Sequence, residues 1–551
     1  MHHLSALDAL FLQLETPDMP MHVGALILLD KPAKHRGSFY QKIRNHVASR
    51  MHLAPLFSRR LAFMPFDLVN PVWLGGAEID LDHHIRHKML PKPGTQTQLE
   101  AMVAMLHEGM LDRDRPLWQF TIVEGLQSGQ VAFVSKIHHA ALDGQGGVAL
   151  AQAMFDTEPI PRMVESAQES AKHLSPTTAK MLSAAFRNTV SQYGKILKAV
   201  PEAVRTVGKI GAMALSASQA KKVGAPSEQG TGISGLVDFK PGDSPEQAAK
   251  SLLKKIPGGI TLGPRTPFNV AISGKRAFVG LQLSLAETKA IAKHFDAKLN
   301  DIVMAVVAGA LRRYFAGDKN VLAKPMIAAI PVSLRAPGDK SQSNQVTMML
   351  VNMATQIADP KKRVTAIIAA SNKSKALTSA TRSVMPMDLP SFGIPWLMSI
   401  ITPLYKMAIA TNRIPVVANI VISNVPGPPV ALYLAGAKST ANFPLSIVTH
   451  GLGLNVTIQS YNGSLDVGFI ACKRTVPTLR KFADAMQAAH QQLLDLVNAD
   501  VPKAAPKSLP KPKAKPTLKP AAKPLAKLTA NAKPVARKLI RSKVKTRKLH
   551  A

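Results

Sequence analysis

The stretch of this chain whose residue types and spacing could do chemistry is His138-His139-Ala140-Ala141-Leu142-Asp143-Gly144. Imidazole has an unperturbed pKa close to neutrality, so it can take a proton and return it under ordinary conditions. The pair closes an apolar run, Val131 to Ile137, that reads as a strand. Side chains alternate between the two faces of a strand, so only one of the two rings can face a given site directly. Asp143 can hold a loop or a ring in place, and Gly144 permits a tight backbone turn. Together these are the parts of an oriented general base.

The elements that must position them read as mixed α/β. Leu4 to Leu14 suits a short helix and His22 to Leu29 a strand. Gln96 to Leu111 has helical apolar spacing through Leu99, Met102, Val103, Leu106 and Met110. After the histidine strand, Gly144, Gly146 and Gly147 lead into a helix over Val148 to Phe155. Further on, Ser284 and Glu287 form a capping-box pattern before Leu285 to Phe295. Asn300 is placed to cap the next helix, with Val303, Val306, Val307, Ala310, Leu311 and Tyr314 on its buried face. Val416 to Ile422 reads as a buried strand. Asn462-Gly463, between Val456 to Ser460 and Leu465 to Ile470, is a strong hairpin signal. His83-His84 is a second histidine pair, but no Asp-Gly follows it, and it reads as a packing or solvated pair.

Several further segments, in order along the chain, resemble the bacterial wax ester synthase/acyl-CoA:diacylglycerol acyltransferase family. That family is a branch of the CoA-dependent acyltransferases that share the HHxxxDG motif. Leu4-Ser5-Ala6-Leu7-Asp8 and Met19-Pro20-Met21-His22-Val23-Gly24 resemble its opening. Leu111-Asp112-Arg113 followed by Pro116-Leu117-Trp118 resembles its PLW block, and Asn300-Asp301-Ile302-Val303 its ND block. Pro331-Val332-Ser333-Leu334-Arg335, Asn344-Gln345-Val346 and Ser423-Asn424-Val425-Pro426-Gly427-Pro428 continue the series. Two positions depart from the pattern: Gln119 stands where an acid is usual, and Ser343 where glycine is common.

The resemblance implies two chloramphenicol-acetyltransferase-like α/β domains joined by a helical linker, with the active site between them. The N-terminal domain spans residues 1–160, the linker 161–235 and the C-terminal domain 236–498; a disordered basic tail occupies 499–551. It implies O-acyl transfer from a long-chain acyl-CoA, a substrate rather than a cofactor, to diacylglycerol or a fatty alcohol. His139 is then the base, with His138 bracing or lining the site and Asp143 holding the loop. Gly144, Pro116, Leu117, Trp118 and Asp301 are structural or substrate-binding, and Asn300 is a candidate oxyanion contact. Two rivals share part of these features. One is a condensation-type acyltransferase using a carrier-bound donor; the other is a non-catalytic lipid-body or polyanion-binding protein.

Composition bounds the rest. The 551 residues are 46% hydrophobic, enough for two or three domains. A single cysteine, Cys472, excludes an intramolecular disulfide and, with no paired Cys/His spacing, argues against a metal site. The N-terminus lacks the basic and apolar regions of a secretion signal, which points to a cytoplasmic protein.

The net charge is +35; sixteen Lys or Arg and no acid lie from residue 501 onward, leaving +19 on the first 500. Such an excess implies an anionic partner: a membrane or lipid-inclusion surface bound peripherally, CoA phosphates, or nucleic acid through the tail. The tail repeats Lys-Pro from Lys511-Pro512 to Lys533-Pro534, a composition that resists folding. Leu182, Phe186, Val190, Tyr193, Leu197 and Val200 outline an amphipathic helix in the linker. Phe392 to Ala410 is almost wholly apolar, but Pro395, Pro403 and Lys406 interrupt it, so it reads as a buried or interfacial segment rather than a span.

Overall fold

A computed structural model of the chain describes residues 2–63, 70–142, 144–165, 262–333, 346–382, 406–407, 409–410 and 415–500. Asp143, Arg335, Ser343, Asn344, the linker helix around Leu182 to Val200, most of 392–410 and the basic tail lie outside the described residues.

The strands, in chain order, are β1 (His2–His3), β2 (His22–Asp30), β3 (Arg60–Ala62), β4 (Val72–Leu74), β5 (Ile85–Met89), β6 (Trp118–Glu124), β7 (Val131–His138) and β8 (Arg276–Ser284). They continue with β9 (Ile327–Ser333), β10 (Val346–Asn352), β11 (Ile420–Val425), β12 (Tyr433–Leu434), β13 (Ala437–Leu445), β14 (Leu454–Tyr461) and β15 (Ser464–Cys472). Two mixed six-stranded sheets form, ordered β12-β13-β2-β7-β6-β5 and β10-β9-β11-β14-β15-β8, beside a small sheet β1-β4-β3. The mixed α/β architecture expected from the sequence is what the structure shows.

Three apolar cores hold the sheets. One packs the first sheet against the helices Phe39–Arg50 and Gly144–Met154, through Ile43, Val47, Phe120, Phe133 and Met154. Another packs the second sheet against the helices Leu285–His294, Leu299–Tyr314 and Leu479–Asp500. The last lies between the sheets and includes Met21, Leu26, Val134, Phe278, Phe443 and Ile470. The helix Gln96–Glu108 contributes Leu99 and Val103 to it. Met110, grouped by sequence with that face, falls past the helix end and is exposed.

One strand departs from its sequence neighbours. β13 pairs antiparallel with β2, more than 400 positions earlier in the chain, and completes the first sheet although β11, β14 and β15 belong to the second. Its passage brings the two sheets close enough that a Cβ on Gly468 would sit 1.7 Å from the Pro444 carbonyl oxygen.

Several local signals translate directly. Ser5 caps the helix Ala6–Leu14, and Ser284 caps Leu285–His294. Asn462 and Gly463 take positive φ values of 42° and 90°, as the tight turn between β14 and β15 requires. Asn300 is not the cap of its helix. That helix runs Leu299–Tyr314 with Lys298 at the N-cap position, and Asp301, in its third position, accepts the Lys298 amide at 3.3 Å. A carboxylate three residues into a helix reaches the cap amide and favours the positive dipole end, so it displaces the cap assigned to Asn300. Among the described residues, no helix is long and apolar enough to cross a membrane.

Candidate active site

β7 ends at His138, and His139 opens a short 3-10 turn, His139–Ala141. The main chain fixes both residues. The His138 amide donates to the Leu117 carbonyl (3.0 Å) and the His139 amide to the Met21 carbonyl (2.8 Å). Arg59 braces the turn by donating to the Ala141 carbonyl at 2.8 Å.

The two rings meet different surroundings, as strand alternation requires. His138 is 0% exposed. Its Nδ1 accepts the Ala140 amide at 3.1 Å, so Nε2 carries the proton, and Nε2 points at Glu15 Oε1, 3.4 Å away. His139 is only partly buried, and its ring stacks on Phe11 with centroids 4.1 Å apart and planes 13° from parallel. Burial pushes the His139 pKa down to about 4, against a hydrogen bond from the ring to its own main chain and together with the neighbouring His138. The ring is therefore neutral at physiological pH.

Glu15 and Phe11 escaped the sequence reading. Both come from the helix Ala6–Leu14 and its C-cap, four residues apart, and so project from one face. Glu15 is buried at 8% exposure. It accepts the Met21 amide at 3.0 Å and the Arg113 guanidinium at 2.9 and 3.3 Å. Burial alone would raise its carboxyl, but His138, the Met21 amide and Arg113 outweigh it and hold the pKa at about 2. Arg113 had stood out only as part of a motif block. Here it is the counter-ion of the carboxylate that faces His138.

Behind this pair the polar chain continues. His22 sits opposite His138 in the β2–β7 register, and its Nε2 donates to the His107 carbonyl at 3.0 Å. His107 Nε2 in turn donates to the Ser446 carbonyl, just beyond β13, at 3.0 Å. Desolvation drives both rings well below the ordinary imidazole range, His107 to about 3. Lys136 donates to the carbonyls of Leu106 (3.0 Å) and Gly109, and burial lowers its pKa to about 8.

The PLW residues are structural neighbours of the histidines. The Leu117 carbonyl holds His138, and Leu117 and Trp118 are fully buried. Trp118 donates its indole N–H to the Phe57 carbonyl at 3.0 Å and stacks on His84 at 4.3 Å. His84 also bonds the Trp118 carbonyl at 2.7 Å, so the second histidine pair serves packing. Pro116 accepts the Trp118 amide in the turn that starts β6.

The ND residues lie elsewhere. Asn300 is exposed and accepts the Asn424 carboxamide at the mouth of a cavity of about 400 Å³, whose lining includes neither His138 nor His139. Asp301 is buried, bonds its own helix start and pairs with Lys375 at 3.4 Å. Among the described residues no group of three or more His, Cys, Asp or Glu is arranged to hold a metal ion.

Two mixed six-stranded sheets, a strand exchanged into the first, and a histidine pair at a strand end define the class: a two-sheet α/β protein with a histidine site. The fold matches the wax ester synthase/diacylglycerol acyltransferase from Marinobacter aquaeolei VT8, with a TM-score of 0.59 and 25% identity over 90% of this chain and 99% of that one. Residues 4–303 match the wax ester synthase/diacylglycerol acyltransferase catalytic domain, and 342–494 match the WS/DGAT C-terminal domain. The chain belongs to this acyltransferase family. A Mycobacterium tuberculosis H37Rv protein provisionally named a diacylglycerol O-acyltransferase is 31% identical over 89% of this chain and 99% of its own length. A similarly named Mycobacterium bovis protein is 32% identical over 89% of each chain.

Proposed function

We propose that the protein transfers a long-chain acyl group from acyl-CoA to diacylglycerol or a long-chain alcohol, with His139 as the general base. The observation that carries the reading is the contrast within the histidine pair. His138 is wholly buried and turned toward the Glu15–Arg113 pair, while His139 is partly exposed, neutral and stacked on Phe11.

The acceptor hydroxyl gives its proton to the neutral His139 ring as its oxygen bonds the thioester carbonyl carbon. The tetrahedral adduct then expels the sulfur, and the imidazolium protonates the departing thiolate. The ester, free CoA and neutral imidazole result. A buried imidazolium of low pKa gives up its proton readily, and a thiol of pKa about 8.5 leaves with little acid help. No serine or cysteine nucleophile and no cofactor is required. Gly144 opens the helix that follows the base, while Pro116, Leu117 and Trp118 hold the end of β7.

The names of the mycobacterial relatives support diacylglycerol as an acceptor, and the family name supports the alcohol as well. The excess of +19 on the first 500 residues and lipid-partitioning substrates support peripheral attachment to the inner membrane face or lipid inclusions. The deciding experiment supplies purified protein with palmitoyl-CoA and either hexadecanol or diolein, and follows thiol release and lipid products. Acceptor-dependent release of CoA with formation of wax ester or triacylglycerol is expected. CoA release that ignores both acceptors, or none at all, would overturn the assignment, and turnover with only a carrier-bound donor would make it a condensation-type enzyme.

A further inference from the structure

The helix Ala6–Leu14 and its C-cap serve both rings of the histidine pair. Ser5 caps the helix, and the buried Leu12 anchors it in the core of the first sheet. Glu15 faces His138, and the Phe11 ring lies against His139. Phe11 is half-buried and packs against two of the three apolar cores, so its own ring is held in place. The base is thus fixed by the Met21 carbonyl at its amide and by Phe11 at its ring.

The stack is face to face, with centroids 4.1 Å apart and planes 13° from parallel. Imidazole carries its lone pair and its N–H in the ring plane, so a partner on the face leaves the edge open to a hydroxyl. A phenyl ring has a negative face. Against a neutral imidazole the contact is mainly dispersion. Against an imidazolium the same face attracts a cation, and the ring lies well within the roughly 6 Å over which that attraction acts. Exclusion of water strengthens it. The contact is therefore stronger after the proton has moved than before, which is the condition for lowering a barrier rather than tightening binding.

We propose that Phe11 is a positioning residue of the acyl transfer: it holds the plane of the His139 ring, and its face stabilises the imidazolium that forms as the acceptor hydroxyl gives up its proton. The inference rests on the reading of His139 as the base. The same attraction offsets part of the desolvation that keeps the resting ring neutral.

The test uses the full-length protein, palmitoyl-CoA and hexadecanol, and reads the single-turnover rate of ester formation. Phenylalanine at position 11 is replaced in turn by its 4-fluoro, 3,5-difluoro and 3,4,5-trifluoro analogues. Fluorine withdraws charge from the ring face with little change in size. The rate should fall stepwise, by about tenfold across the series. The Tm and the KM for palmitoyl-CoA should not change. The pKa of His139, followed by NMR of ¹³C-labelled histidine and assigned by loss of its signal in His139→Gln, should fall in the same order. Phe11→Leu, which keeps an apolar side chain without a π face, should lower the rate as far as the trifluoro analogue does. A rate and a histidine pKa indifferent to fluorine would overturn the proposal and leave Phe11 a packing residue. If His139→Ala retained turnover, the base reading would fail and the role of Phe11 with it. If His139→Ala abolished turnover while the fluorine series left the rate unchanged, the base would stand and only the role of Phe11 would be overturned.

Discussion

At the scale of single residues, His139 is proposed to take the proton, with His138 and Glu15 left to position it. His139→Ala should lower turnover by about two to four orders of magnitude while leaving the fold intact, since a positioned base contributes that much. A folded variant with near-normal turnover would exclude His139 as the base.

The pH profile gives a second test. The base must be neutral to act, and its folded pKa is held near 4. Activity at pH 5.5 should therefore stay close to its value at pH 7.5. A base with the ordinary pKa of 6.5 would retain about a tenth.

Glu15 is tested through stability. Its folded pKa, about 2, lies below the usual 4.5, so the ionised pair stabilises the fold fully above pH 4.5, and the effect fades as pH falls toward 2. The depression corresponds to on the order of 3 kcal/mol, which partial exposure of Arg113 reduces in practice. Glu15→Gln should lower the Tm at neutral pH by several degrees, and the gap to the native protein should close in acid. A gap independent of pH would mean that the carboxylate's charge is not what matters.

At the scale of elements, the histidine site depends on strands that approach without side chains between them. Gly24 in β2 faces β7, where a Cβ would sit 1.8 Å from the Ser135 carbonyl oxygen. Gly468 in β15 plays the same part where β13 crosses between the sheets. Close-packed backbone cannot yield as a flexible side chain can, so each Gly→Ala change forces strands apart and costs about 1–3 kcal/mol or more. Gly468→Ala should lower the Tm and weaken the junction between the sheets, with faster hydrogen exchange in β13. Unchanged melting and exchange would show that the sheets are free to separate.

At the scale of the whole molecule, the proposed peripheral attachment rests on charge. The tail carries sixteen basic residues and no acid, and every motif of the family lies before it. Truncation after Asp500 should spare turnover on dispersed substrate and weaken salt-sensitive binding to anionic liposomes. Each basic residue near such a surface contributes about 1 kcal/mol. Equal binding of the full-length and truncated proteins at low salt would remove the tail from membrane attachment, and preferential binding to nucleic acid would assign it the other phosphate source.

The sequence by itself determined what is local. The His138-His139 strand end, the Ser284 cap and the Asn462-Gly463 hairpin all rest on interactions within a few residues, which spacing and residue type encode directly. Sequence blocks carried the family for the same reason, since each is a short run with its own backbone requirement. Only the tertiary structure decided which distant groups complete the site. Glu15 lies 98 residues from Arg113, and β13 joins β2 across most of the chain. The apolar pattern of a strand shows that a face is buried, but not which strand lies beside it. Likewise, the charge of Glu15 signals a solvated residue until folding brings Arg113, the Met21 amide and His138 to it.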